Sequence, residues 1–147
     1  GAARDWWTPA DAAAAAERTR RLAAQLEQYE PVAGVRVSGS LTVAETLADI
    51  GGLTIAYRAY KSSLKGATPP TIDRLTGDQR FFMGWAQMWR AKQRDEYVRS
   101  MLQTSAHLAA VFRANAAVGQ VDAFYDAFGV KPDNRLYRAP AERVRIW

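Results

Sequence analysis

Val43-Ala44-Glu45-Thr46-Leu47-Ala48-Asp49-Ile50-Gly51-Gly52-Leu53 is the stretch around which the rest of the chain makes sense. Helical spacing puts Glu45 and Asp49 on one face, and Gly52 and Ala56 continue that face over the next two turns. Val43, Leu47, Ile50, Thr54 and Tyr57 fall on the opposite side. This predicts a helix with two sides to bury, one apolar and one carrying two carboxylates above a strip of small residues. Gly51 and Gly52 each cost roughly 1 kcal/mol against alanine inside a helix, which the close approach of another helix would offset. Two readings of Glu45 stay open. Thr42-Val43-Ala44-Glu45 matches a capping box, in which hydroxyl and carboxylate satisfy free N–H groups at a helix start. The alternative is a metal or catalytic role for a carboxylate that shares its face with Asp49.

Upstream, Thr8-Pro9-Ala10-Asp11 predicts a helix start, with Thr8 at the cap and Pro9 at the first helical position. This helix is expected to run through the alanines to about Tyr29, with Leu22, Leu26 and Tyr29 on one stripe and Pro31 ending it. Residues 32–40 read as a short extended connection. Downstream, the central helix continues through Tyr57 and Tyr60 and stops near Gly66, before the loop Ala67-Thr68-Pro69-Pro70. Thr76-Gly77-Asp78-Gln79 opens the next helix, whose Phe81, Phe82, Trp85, Met88 and Trp89 form a broad face expected to be core. Residues 94–101 continue that helix or start another. Residues 107–117 and 121–128 predict shorter helices, with Gly129 as a stop. Nothing reads as paired strands and no repeat is visible, so the class is mainly α.

A chain of 147 residues, 48% hydrophobic and 11% aromatic, fits a single domain with a real core. No apolar run approaches the ~20 residues that cross a membrane, and no signal peptide is expected in this stretch. With no cysteine and one histidine, His107, the chain by itself builds neither a Cys-type zinc site nor one of two or three histidines. The net charge of +5 favours an acidic partner, but the arginine clusters at 18–21 and 90–99 are interleaved with acids. They read as solvated helical faces, and no nucleic acid is expected as partner.

In this order the pieces resemble the C-terminal end of the neprilysin and endothelin-converting-enzyme family of zinc metallopeptidases, of gluzincin type. The bacterial members fit better, since the animal cysteines are missing. Arg4-Asp5-Trp6-Trp7-Thr8 resembles the Asp-Trp-Trp-Thr segment that follows the family's zinc helix. Residues 45–53 resemble Glu-Asn-Ile-Ala-Asp-x-Gly-Gly-Leu, the most specific match. Trp85-Ala86-Gln87-Met88-Trp89 resembles Phe-Ala-Gln-x-Trp, and Phe124-Tyr125-Asp126-Ala127-Phe128 with Arg143-Val144-Arg145-Ile146-Trp147 resembles the closing segments.

The resemblance implies a fold that is the C-terminal helical part of a zincin-like catalytic domain, with residues 1–147 a single helical fragment. Glu45 would be the third protein ligand of a catalytic zinc, and Asp49 would orient a zinc-binding histidine. His107 would hydrogen-bond the oxyanion formed as water attacks the peptide carbonyl. Arg113 would hold a substrate backbone carbonyl, and Trp89 would line the apolar pocket for the residue after the scissile bond. The sequence departs from the family at His107, where Asp-x-His-Ser-Pro is replaced by Ser105-Ala106-His107-Leu108-Ala109.

The family's His-Glu-x-x-His helix, with two zinc ligands and the general base, is expected upstream of Gly1. The partners implied are a peptide substrate and the upstream part of the same polypeptide, and the location is outside the cytoplasm. Alone, the chain is expected to be inactive and to bind zinc weakly, with the strip of Glu45, Asp49, Gly52 and Ala56 exposed and self-association favoured. Two alternatives remain: a non-catalytic helical interaction or packing module, and a relative that has lost its zinc.

Overall fold

The computed structural model describes residues 2 and 4–145. Among these, six α-helices follow one another: α1 Pro9–Leu26, α2 Gly39–Ser63, α3 Gly77–Met88, α4 Asp95–Thr104, α5 Ala110–Val118 and α6 Asp122–Phe128, with a 3-10 turn at Pro140–Glu142. No strand longer than an isolated bridge occurs among the described residues. The chain is mainly α.

Thr8 caps α1 as its sequence predicts. Its hydroxyl accepts from the Asp11 N–H at 3.1 Å, and the Asp11 carboxylate accepts from the Thr8 N–H at 3.1 Å. Leu22 and Leu26 then disappear into the core. The helix stops at Leu26, short of Tyr29. The Glu27 N–H turns back to Ala23, and the Tyr29 N–H closes a separate turn on the Leu26 carbonyl at 3.0 Å, which still leaves Tyr29 against the core. The following connection is not extended. Val35 N–H returns to Val32 at 2.9 Å around Gly34, whose φ of +76° suits glycine.

Central helix α2 starts earlier than the Thr-x-x-Glu pattern suggests. Ser38 is the N-cap and its hydroxyl accepts from the Leu41 N–H at 3.4 Å. Thr42 sits inside the first turn, buried, and donates to the Ser38 carbonyl at 2.9 Å. The capping reading of Thr42 and Glu45 is therefore overturned. Gly39 makes the early start possible: a Cβ there would lie 2.3 Å from the Ala23 carbonyl oxygen, so α1 and α2 cross at a distance only glycine permits. Thr42, Val43, Thr46, Ile50 and Leu53 form the buried arc of α2. The Thr42, Thr46 and Thr54 hydroxyls donate to the carbonyls of Ser38, Thr42 and Ile50 within 2.9 Å, so their burial leaves no unpaired donor.

Helix α3 opens with a capping box between Thr76 and Gln79. Phe82 stacks on Tyr57 at 5.4 Å and meets Phe124 edge-on at 5.6 Å, joining α2, α3 and α6. Met88 departs from the expected core face, being 64% exposed, while Trp85 in the same turn packs toward α5. After α3 the chain breaks, and α4 is a separate helix. His107 lies in the loop between α4 and α5, not in a helix. There the Ser105 hydroxyl accepts the His107 N–H at 3.1 Å and turns the chain, while Leu108 and Ala109 are buried behind it.

Gly129 ends α6 in the left-handed region with φ +59°, as its position predicts. The closing segment is strapped down by named bonds. Val144 N–H donates to Gln120 Oε1 at 2.7 Å, and Arg143 lies 3.4 Å over the Tyr125 ring while pairing with Asp122. Ile146 and Trp147 of the family-like ending lie outside the described residues.

Candidate functional site

The site is built on the side of α2 turned away from the core. Glu45, in the second turn, is 43% exposed, and its Oε2 stands 3.1 Å from Nε2 of His107, which is exposed to the same degree. The Ser105 turn and the buried Leu108 hold the loop that brings His107 to this place. One turn further along α2, Asp49 receives both Arg113 Nε at 2.5 Å and Arg113 Nη2 at 2.8 Å. These side chains are only 13% and 19% exposed. Side-on pairing of this kind fixes the plane of the guanidinium as well as its position.

Arg113 has a second partner. Its guanidinium carbon lies 4.0 Å from the centre of the Trp89 ring, and Trp89 is the residue that caps α3. The Trp89 indole nitrogen is buried without a hydrogen-bond partner among the described residues. Trp85, one turn earlier, meets Trp89 edge-on at 5.5 Å and donates its own indole N–H to the Ala114 carbonyl at 3.1 Å. Glu45, Asp49, Trp89, His107 and Arg113 therefore form two contact groups on adjacent turns of one helix face, brought together from α2, α3, α5 and the loop before α5. What the fold does not provide is a free Asp49, since both its oxygens are engaged by Arg113.

Beyond the carboxylates the strip is open. Gly52 and Ala56 are exposed, and a Cβ on Gly52 would meet nothing within 4 Å. Trp6 and Trp7 share a cleft with α1 and Leu47 instead. Trp85 and Ser105 are site residues that sequence reasoning did not single out. For Trp85 the signal was an indole where the resembling pattern has phenylalanine; for Ser105 it was a hydroxyl two residues before the histidine.

Glu45 suits a zinc ion as an oxygen donor, being accessible and free of any capping duty. No group of three or more His, Cys, Asp or Glu side chains converges to hold a metal among the described residues. The fit is that of one ligand from an incomplete set.

A sequence model of peptidase family M13 matches residues 1–144. The chain belongs to peptidase family M13. Among relatives, it is 34% identical over 142 residues to the neutral endopeptidase of Lactococcus lactis subsp. cremoris, covering 97% of this chain and 21% of that protein. It is 33% identical over 151 residues to endothelin-converting enzyme 1 of Cavia porcellus, covering 100% of this chain and 20% of that protein. Among solved structures, the Mycobacterium tuberculosis zinc metalloprotease ZMP1 with a bound inhibitor superposes with a TM-score of 0.95 at 45% identity, over 98% of this chain and 23% of that one. This M13 chain thus spans about a fifth of the length of the relatives it matches. The helical fold is that of the M13 metalloprotease structures.

Proposed function

We propose that this chain supplies one wall of a zinc-dependent endopeptidase active site, as the C-terminal portion of a catalytic domain. The observation that carries the reading is the 3.1 Å approach of His107 Nε2 to Glu45 Oε2 on an exposed face of α2, with the Arg113–Asp49 pair one turn away. Exposed carboxylate and imidazole, held by buried neighbours, are what a reacting centre needs from one of its walls.

Glu45 is the residue of this chain that would hold zinc, and the other ligands and the general base would come from elsewhere in the polypeptide. When bound, such a zinc polarises the scissile carbonyl and lowers the pKa of water. The remaining steps fall to side chains. With the Glu45 carboxylate drawn onto the metal, the Nε2 of His107 that faces it in this structure would be released to donate to the oxygen that gains negative charge as the peptide carbonyl becomes tetrahedral. Such a donor acts where charge develops in the transition state, and losing one typically costs about 100-fold or more in rate. Arg113, held by Asp49 through Nε and Nη2, has Nη1 outside both bonds and presents it to a backbone carbonyl of the substrate. Asp49 acts first as the anchor of Arg113, and a contact from a zinc-binding histidine would add to that.

Trp89 contributes apolar surface for the residue after the scissile bond through the part of its ring that Arg113 leaves uncovered. A peptide is the substrate class this arrangement supports. Work outside the cytoplasm belongs to the same reading and rests on the family resemblance; no helix among the described residues is long and apolar enough to cross a membrane.

The test joins this chain to its natural upstream segment and follows cleavage of a quenched peptide with and without a chelator. Cleavage that the chelator stops and that Glu45→Ala abolishes, with zinc content falling in parallel, is the expected result. A folded longer protein that binds no zinc and cuts nothing overturns the proposal.

A further inference from the structure

We propose that Trp85 is a positioning residue for Arg113, acting through the ring of Trp89 and the backbone of α5. The inference rests on the endopeptidase reading for its consequence in substrate binding. Arg113 carries the donor edge offered to a peptide, and three constraints hold its guanidinium. Asp49 fixes the in-plane direction through Nε and Nη2. The Trp89 ring, 4.0 Å away, supports one face. The third constraint is less direct and belongs to Trp85.

Trp89 is the capping residue of α3, at a helix end where backbone bonds run out. By itself it is a poor foundation for a flat platform. Trp85 lies four residues earlier on the same face and abuts the Trp89 ring edge-on at 5.5 Å. Its indole N–H is bonded at 3.1 Å to the carbonyl of Ala114, the residue next to Arg113. One side chain thus ties the platform to the backbone that carries the guanidinium. Movement of α3 relative to α5 would break that bond and slide the ring from beneath the arginine.

A phenylalanine at this place retains the ring edge but has no N–H to give. Preorganising a donor in its binding geometry lowers the ordering cost met when the ligand arrives. The expected signature is therefore in KM more than in kcat.

The experiment uses the full-length polypeptide that contains this chain, with Trp85→Phe, Trp85→Leu and Trp89→Leu variants. The side-chain Nε–H resonance of Arg113 is assigned by its loss in Arg113→Lys. In the parent it should be displaced by the Trp89 ring current and slow to exchange with solvent. Trp89→Leu should remove the displacement. Trp85→Phe should move the resonance part of the way and speed its exchange, while KM for a peptide rises about fivefold, the scale of one neutral hydrogen bond, and kcat stays within about twofold.

A folded Trp85→Phe protein with an unmoved resonance overturns the proposal, and so does a moved resonance with unchanged KM. If Trp85→Leu fails to fold, Trp85→Phe still decides, because it keeps an aromatic ring in the same space. If the parent cleaves no peptide, the endopeptidase reading fails and with it the consequence for KM, whereas the resonance separately decides whether Trp85 positions Arg113.

Discussion

Arg113 closes on Asp49 across 64 residues of sequence, giving Nε to Oδ2 at 2.5 Å and Nη2 to Oδ1 at 2.8 Å. The pair stands at the boundary between core and strip, joining α5 to α2 where the site is built. Removing one member leaves the other largely buried without its counter-charge. Fully buried pairs lose about 3–5 kcal/mol in that way, and the residual exposure here reduces the expectation to about 2–3 kcal/mol. Asp49→Ala and Arg113→Ala should each destabilise the full-length protein by that amount in urea unfolding. The double variant should lose about 1–2 kcal/mol less than the sum, since the pair shares one interaction. Strict additivity would mean that the contact contributes nothing.

Glu45 and Ser38 separate a functional carboxylate from a structural cap. Ser38 caps α2, so Ser38→Ala should cost about 1 kcal/mol of stability and leave zinc content intact. Glu45 caps nothing and is 43% exposed, so in the metal-free protein Glu45→Ala should change stability by less than about 0.5 kcal/mol, while with zinc present it should remove bound metal, the stability that the metal adds, and hydrolysis. Thermal unfolding beside metal analysis of the two variants tests both halves. A Glu45→Ala protein that melts like Ser38→Ala and keeps its zinc would return the glutamate to a structural role.

Local chemistry was readable from the chain where the partners are three or four residues apart. The capping boxes at Thr8 and Thr76 and the left-handed stop at Gly129 need no tertiary information. The true start of α2 lies at Ser38, four residues before the Thr-x-x-Glu pattern, where Gly39 lets the helix begin against the α1 backbone, a tertiary contact that local spacing does not encode. The helix expected from residue 107 begins only at Ala110, because the Ser105 turn and the burial of Leu108 hold His107 in a loop. At the site, the motif in α2 gave Glu45 and Asp49 their face. The partner that engages both oxygens of Asp49, and the arginine on the Trp89 ring, arise from the packing of α5 and α3, which no local spacing encodes.

The Thr8–Asp11 box carries a pH dependence whose sign is fixed. Hydrogen bonds from the Thr8 side chain, then from its backbone, hold the Asp11 carboxyl below its ordinary value of 3.8. A carboxylate depressed in the folded state adds stability above its unfolded pKa, and that stability is lost as pH falls through the folded value. Asp11→Asn should therefore weaken amide protection in the first turn of α1 at neutral pH. The difference from the parent should shrink once the pH falls below 3.8 and vanish below the depressed value. A difference that persists unchanged in acid would mean that ionisation of Asp11 does not support the cap.

Gly52 offers the sharpest distinction between a strip that faces solvent and one that receives another helix. A Cβ there meets nothing within 4 Å in this chain, so its own packing does not require glycine. On helix propensity alone, Gly52→Ala should stabilise α2 by up to about 1 kcal/mol, and Gly52→Leu should do nearly as well. If α2 receives a helix from elsewhere in the polypeptide along Gly52 and Ala56, leucine would wedge that contact open. Overpacking of that kind typically costs about 1–3 kcal/mol and would displace Glu45 from the other ligands. In the full-length protein the expected result is therefore a lowered melting temperature and lowered zinc content for Gly52→Leu, with Gly52→Ala much milder. Unchanged zinc and a raised melting temperature in both variants would mean that the strip stays open to solvent, and Glu45 would then need its partners from some other direction.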